Sequence, residues 1–235
     1  MDLPEMDRKA VVGMAINYFI LICAVLGAAI SSAIYYSLVL YYDRSGALKL
    51  KKKGIFIQDI RVILFAVVLL VTMSWVGYKF LLDRSDVIRF FPYLYAVGMA
   101  FLSTTDMIEH RVPNKMLAIM LLCWMGLVGM EMFINIYRAM ETVFFHGISG
   151  LIAVVIFLIT YFISHRKLGL GDVKLSFIMG LYLGNNMIIA AIFYGTVLCC
   201  IYSIVQVARK KLSMKDGVPM VPFLFFGSLI VMSIF

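Results

Sequence analysis

Long apolar runs separated by short clusters of charge set the pattern of this chain. The runs lie near residues 13–41, 62–82, 87–107, 115–136, 142–164, 173–184, 186–208 and 218–235. A helix needs about 20 apolar residues to cross the hydrocarbon core, and in lipid the backbone polar groups find partners only inside a helix or a closed barrel. The pattern predicts an all-α, polytopic membrane protein with about eight transmembrane helices in a single bundle. The sixth run is short, and Gly184-Asn185-Asn186 predicts a tight turn between it and the seventh. If the sixth is re-entrant, the count falls to seven. No internal repeat, low-complexity tract or long linker divides residues 1–235, which read as one domain.

Composition agrees with this reading. The chain is 63% hydrophobic and 14% charged, with a mean hydropathy of +1.00, against roughly 25% charged residues in a soluble domain. The formal charge of +8 would suit a phosphate partner if it formed one patch, but it is dispersed among membrane loops, so no nucleic-acid partner is expected. All the basic residues except Arg8, Lys9, Lys79, Arg84, Arg89 and Arg138 fall in the loops after the first, third, fifth and seventh runs. The positive-inside rule places those loops in the cytoplasm. Both termini are then extracytoplasmic, in a multi-pass inner-membrane protein. The one sizeable hydrophilic stretch, 43–61, carries Lys49 to Lys53, an orientation signal lying against anionic headgroups. The N-terminus MDLPEMDRKA does not read as a removable signal peptide. Cys23, Cys123, Cys199 and Cys200 lie in apolar runs without a C-x-x-C spacing, so they read as buried apolar residues and not as metal ligands. His146 and His165 have no partner spacing and read as interface residues.

Two carboxylates stand out. Asp106 closes the third run and Asp172, after Gly169-Leu170-Gly171, opens the sixth. The topology drawn from basic residues alone puts both at the cytoplasmic edge, where such groups are costly and mark a site. Two carboxylates that share a proton supply one ionised group to activate water and one neutral group to protonate a carbonyl oxygen, with no metal required. Gly169 and Gly171 allow positive φ and the close approach of an extended substrate. The dipole at the start of its helix favours ionised Asp172, and the negative end of the third helix favours protonated Asp106. That assigns the base to Asp172 and the acid to Asp106.

The stretch LGLGDVKLSFIMGLYLG (168–184) resembles the G-x-G-D signature of type IV prepilin peptidases, including Lys174, Gly180 and Gly184. DMIEHRVPN (106–114) resembles the family's other catalytic motif, and VPMVPFLFFG (218–227) its C-terminal P-F-G-P-F-L-A-x-G segment. Together these motifs cover roughly residues 90–230. The resemblance implies an aspartyl endopeptidase with Asp106 and Asp172 as its catalytic pair. It would remove N-terminal leaders from pilin or pseudopilin precursors at the cytoplasmic face, cutting after Gly and before a hydrophobic segment. Glu109, Pro113, Asn114, Gly169, Gly171 and Lys174 are candidate substrate-binding or supporting residues; Pro113 and Asn114 also read as the start of the fourth helix, with Asn114 near its N-cap. Many members of the family carry a cysteine-rich domain after the first span and N-methylate their product. Here residues 43–61 contain no cysteine, and LGAAISSAIYY (26–36) matches the methylation element only loosely. N-methyltransferase activity is therefore in doubt, and no cofactor is implied.

Two other readings compete. A presenilin or signal-peptide-peptidase type of protease also carries G-x-G-D, but its first Asp follows Tyr, whereas Asp106 follows Thr105. A small cation or proton transporter would show related halves and broken helices at mid-membrane, and neither pattern is present.

Overall fold

A computed structural model describes residues 5–44, 60–83, 87–164, 169–209 and 218–234. Within them the regular structure is helical: α1 (Glu5–Arg44), α2 (Ile60–Asp83), a 3-10 turn (Val87–Phe90), α3 (Phe91–Glu109), α4 (Asn114–Ile134), α5 (Ile136–Ile163), α6 (Leu170–Leu183), α7 (Asn185–Ala208) and α8 (Val221–Ile234). Each α-helix follows one of the apolar runs. The lysine cluster at 49–53 and His165 lie outside the described residues.

By length and composition, four of these helices can cross a membrane: α1 over Ile20–Tyr41, α4, α5, and α7 over Met187–Ala208. That makes this a membrane protein, but four is half of the expected number of crossings. The difference has physical causes. α6 and α8 have 14 residues each, about 21 Å at 1.5 Å per residue. The described apolar stretch of α2, Ile63–Tyr78, falls in the range of 10–17 residues, short of a full crossing. The last turns of α3 hold Ser103, Thr104, Thr105 and Asp106.

α3 is the hub of the bundle, touching α1, α2, α4, α6 and α8. From Phe91 to Asp106 every residue except Leu94 is buried. Pro at the second position of α3 fits a helix start, where its missing N–H costs nothing. Two of the hydroxyls in its last turns are partnered, while the buried Ser103 hydroxyl has no hydrogen-bond partner among the described residues. The Thr104 hydroxyl lies 2.7 Å from the Tyr35 hydroxyl of α1, and Thr105 donates to the Leu102 carbonyl at 2.8 Å. Such pairing is what lets hydroxyls sit in an apolar interior.

Around this hub, α1 pairs with α2, α5 with α6, and α7 with α8. Small residues bring the last two pairs into backbone contact. A Cβ on Gly180 would stand 2.4 Å from the Gly150 Cα, and one on Gly227 would stand 2.5 Å from the Gly195 nitrogen. In lipid there is little hydrophobic drive between helices, so close packing of this kind supplies much of the association.

Candidate active site

Four helix ends meet at one end of the bundle: the C-terminus of α3 and the N-termini of α4, α6 and α8. α3 stops at His110, whose φ of 51° places it in the left-handed region, with its N–H donated to the Asp106 carbonyl at 3.0 Å. This is an αL helix stop made without glycine. The chain then crosses Arg111–Pro113 and enters α4 at Asn114. Asp106 sits one turn inside the end of α3 and is only 7% exposed.

Its carboxylate is held by a helix distant in sequence. The Val221 N–H, first in α8, donates to Asp106 Oδ2 at 3.0 Å, and the Met220 N–H also faces it. Met220 is the residue whose carbonyl accepts from Phe223 and Leu224 at the start of α8, yet its thioether side chain offers no capping oxygen. Asp106 supplies the acceptor in its place.

Asp172 is the third residue of α6, half-buried, with its N–H bonded to the Gly169 carbonyl at 3.1 Å. The Gly169 N–H faces the Asp172 carboxylate, which is half of the capping box seen at helix starts. A Cβ on Gly169 would stand 3.3 Å from Asp172 Oδ2. Asp172 precedes the predicted 173–184 segment. Burial, and after it the charge of Asp106, push Asp172 up to about 6. The two motifs therefore meet within electrostatic reach.

The motifs also touch through supporting residues. Val112 occupies the space a Cβ on Gly171 would need, with its own Cβ 3.1 Å away. Lys174, exposed on α6, donates to Asn114 Oδ1 at 3.2 Å. Glu109 is half-buried at the end of α3, and Pro113 occupies the N-cap position of α4 at φ −70°.

Residues 93–204 match the Type IV leader peptidase family.

The matched stretch contains both aspartates, so the family resemblance expected from their motifs is shown. A prepilin leader peptidase/N-methyltransferase of Bacillus subtilis (strain 168) is 24% identical over 147 residues, which is 61% of this chain and 55% of the relative. The chain thus spans about half the length of the curated relative it matches. No solved structure matches it.

Set beside the leader peptidase motifs, two local expectations change. Neither signature glycine is there for positive φ. Gly169 is extended at φ −72° and ψ 139°, the positive values among the described residues belong to His110 and Gly184, and Gly171 is small because Val112 packs on it. Pro113 and Asn114 do start α4, with Pro113 at the N-cap and Asn114 beside it, its side chain serving Lys174. The dipole argument for the two aspartates also omitted a helix. A terminus dipole is worth about 0.3–1 kcal/mol, whereas a hydrogen bond to a charged group is worth about 1.5–3 kcal/mol. The Val221 N–H on Asp106 therefore outweighs the end of α3.

Sequence reasoning missed Val112, Met220, Val221 and Cys199. The last is a free cysteine of α7 within electrostatic reach of Asp106. One signal was available. In Pro219-Met220-Val221-Pro222 only the middle two residues carry an N–H, and none of the four has a side-chain oxygen to cap them.

Proposed function

We propose that the chain is a membrane-embedded aspartyl endopeptidase that removes N-terminal leader peptides from pilin-like precursors, with Asp106 and Asp172 activating water between them. The observation that carries this reading is the meeting of two motifs distant in sequence. The charge of Asp106 reaches the Asp172 carboxylate, while Val112 on Gly171 and Lys174 on Asn114 join the chains around them. The match to leader peptidases over residues 93–204 supports the same reaction.

In this mechanism the ionised aspartate takes a proton from water as the water oxygen attacks the carbonyl carbon of the scissile amide. The neutral aspartate gives its proton to the carbonyl oxygen. The tetrahedral diol then collapses, the C–N bond breaks, and the leaving amine takes up a proton from the dyad. Arg111, Lys115, Lys174 and Arg209 cluster by sequence at the site's end of the bundle, which supports a cytoplasmic active site in an inner-membrane protein under the positive-inside rule. On that reading all eight helices cross or enter the membrane, the short α6 and α8 among them. An open apolar groove of about 780 Å³ between α2, α7 and α8 begins at Phe223, two residues beyond Val221. It supports a substrate with a hydrophobic segment beside its cleavage junction.

The test is co-expression with a pilin-like precursor bearing a Gly-Phe junction, followed by mass spectrometry of the mature N-terminus. Leader removal should be lost in both Asp106→Asn and Asp172→Asn. Cleavage that persists in either variant would end the dyad reading. An added methyl group on the product would reveal methyltransferase activity.

A further inference from the structure

We infer that the Val221 backbone N–H, at the start of α8, is a positioning group of the active centre that fixes Asp106 as the ionised base and leaves the shared proton on Asp172 as the acid. This rests on the dyad reading above and assigns the roles within it.

The geometry carries the inference. Proline at 219 and at 222 removes two donors, so Met220 and Val221 are the N–H groups at this helix start, and both are directed at one carboxylate. The contact is sealed, with Val221 fully buried and Asp106 nearly so. Hydrogen bonds given to the charged form of a carboxylate favour that form, and the positive end of a helix acts in the same direction. Asp172 has one such donor, the Gly169 N–H, against two on Asp106. The titratable groups facing Asp106 are Asp172 from α6, His110 from its own helix stop and Cys199 from α7. His110 is exposed, so its charge is screened by solvent. The proton of the pair accordingly rests on Asp172, the reverse of what the dipoles of α3 and α6 alone would give.

A single substitution isolates the donor. Val221→Pro removes the N–H at the first helical position, where proline is well tolerated, and the residue before it is a non-helical cap compatible with a following proline. Val221→Ala keeps the N–H and trims the side chain. In lipid nanodiscs with a purified precursor, Val221→Pro should lower kcat about tenfold with KM unchanged. Its bell-shaped pH profile should narrow from the acid side, as the lower apparent pKa of the pair rises while the upper one stays in place. Val221→Ala should keep the parental profile. A Val221→Pro profile superimposable on the parent's would overturn the assignment. If that variant does not fold, carbon-13 carboxyl spectra of the parent decide the matter: Asp106 losing its proton before Asp172 supports the inference, and the opposite order defeats it. Failure of the underlying dyad reading would look different, with cleavage surviving Asp106→Asn or Asp172→Asn.

Discussion

Asp106 and Asp172 reach the same place by opposite routes. Asp106 ends a fully buried helix and takes its hydrogen bond from a chain segment 115 residues away. Asp172 begins a short helix, is half-buried, and finds its nearest backbone donor in the residue three positions before it. One carboxylate is thus set by tertiary structure and the other by local sequence. On the roles proposed above, two chemically identical side chains differ in proton affinity because one is tied across the bundle and the other is not.

The contact between the motifs offers the sharpest way to break this comparison. Gly171→Val would drive a side chain into Val112 and push the loop at 110–113, and with it the end of α3, away from α6. Displacements of about 1 Å in such sites cost on the order of 10²-fold in rate, and that loss is expected in kcat/KM for leader cleavage. Val112→Gly in the same chain should restore most of it; without such rescue the contact would not be what aligns the pair.

The next effect separates the two aspartates by stability. Asp106→Ala leaves the buried Val221 N–H without a partner, at a cost of about 1–3 kcal/mol, and should lower the melting temperature in detergent. Asp172→Ala frees the Gly169 N–H, but Gly169 is exposed and water can replace the carboxylate, so its loss should be smaller. Equal losses for both would erase the distinction. Folding stabilises the protonated form of Asp172, so its contribution is greatest in acid and is lost as pH rises through about 6. With Asp172 as the acid, kcat/KM should fall about tenfold per pH unit on the alkaline side of that value, measured by cleavage across pH 4–9. The smallest change is expected from Lys174→Met. It removes an exposed hydrogen bond to Asn114 worth about 0.5–1.5 kcal/mol, and an effect of a fewfold or less on KM would place it at the edge of the site.

The helices were legible because each is a continuous apolar run, and lipid permits such a run little except a helix. The two aspartates were legible because charge at the end of an apolar run is costly and both lay on the side rich in Lys and Arg. What sequence could not supply were contacts between distant segments. Gly171 read as a flexible residue, because nothing local announces that Val112 will lie against it. Asn114 read as part of the start of α4, which it is, but nothing local announces that Lys174 will bond its side chain from another helix. The proposed roles differ from the dipole reading because that reading judged α8 by its apolar run and left out its N–H groups. A helix start with no side-chain oxygen of its own asks where that oxygen comes from, and here the answer is Asp106.

The far end of α6 carries a further consequence. Its last turn is staked from two sides, by the Tyr182 hydroxyl on the Met120 carbonyl at 2.7 Å and by His146 Nδ1 against the Leu181 carbonyl at 2.6 Å. In the same turn Gly180 rests on the backbone of α5. α6 is thus pegged into the bundle at its far end by α4 and α5 together. At its near end it meets the short strap of residues 110–113 through Val112 on Gly171, so the end of the helix that carries Asp172 is the one joined to the bundle by a loop.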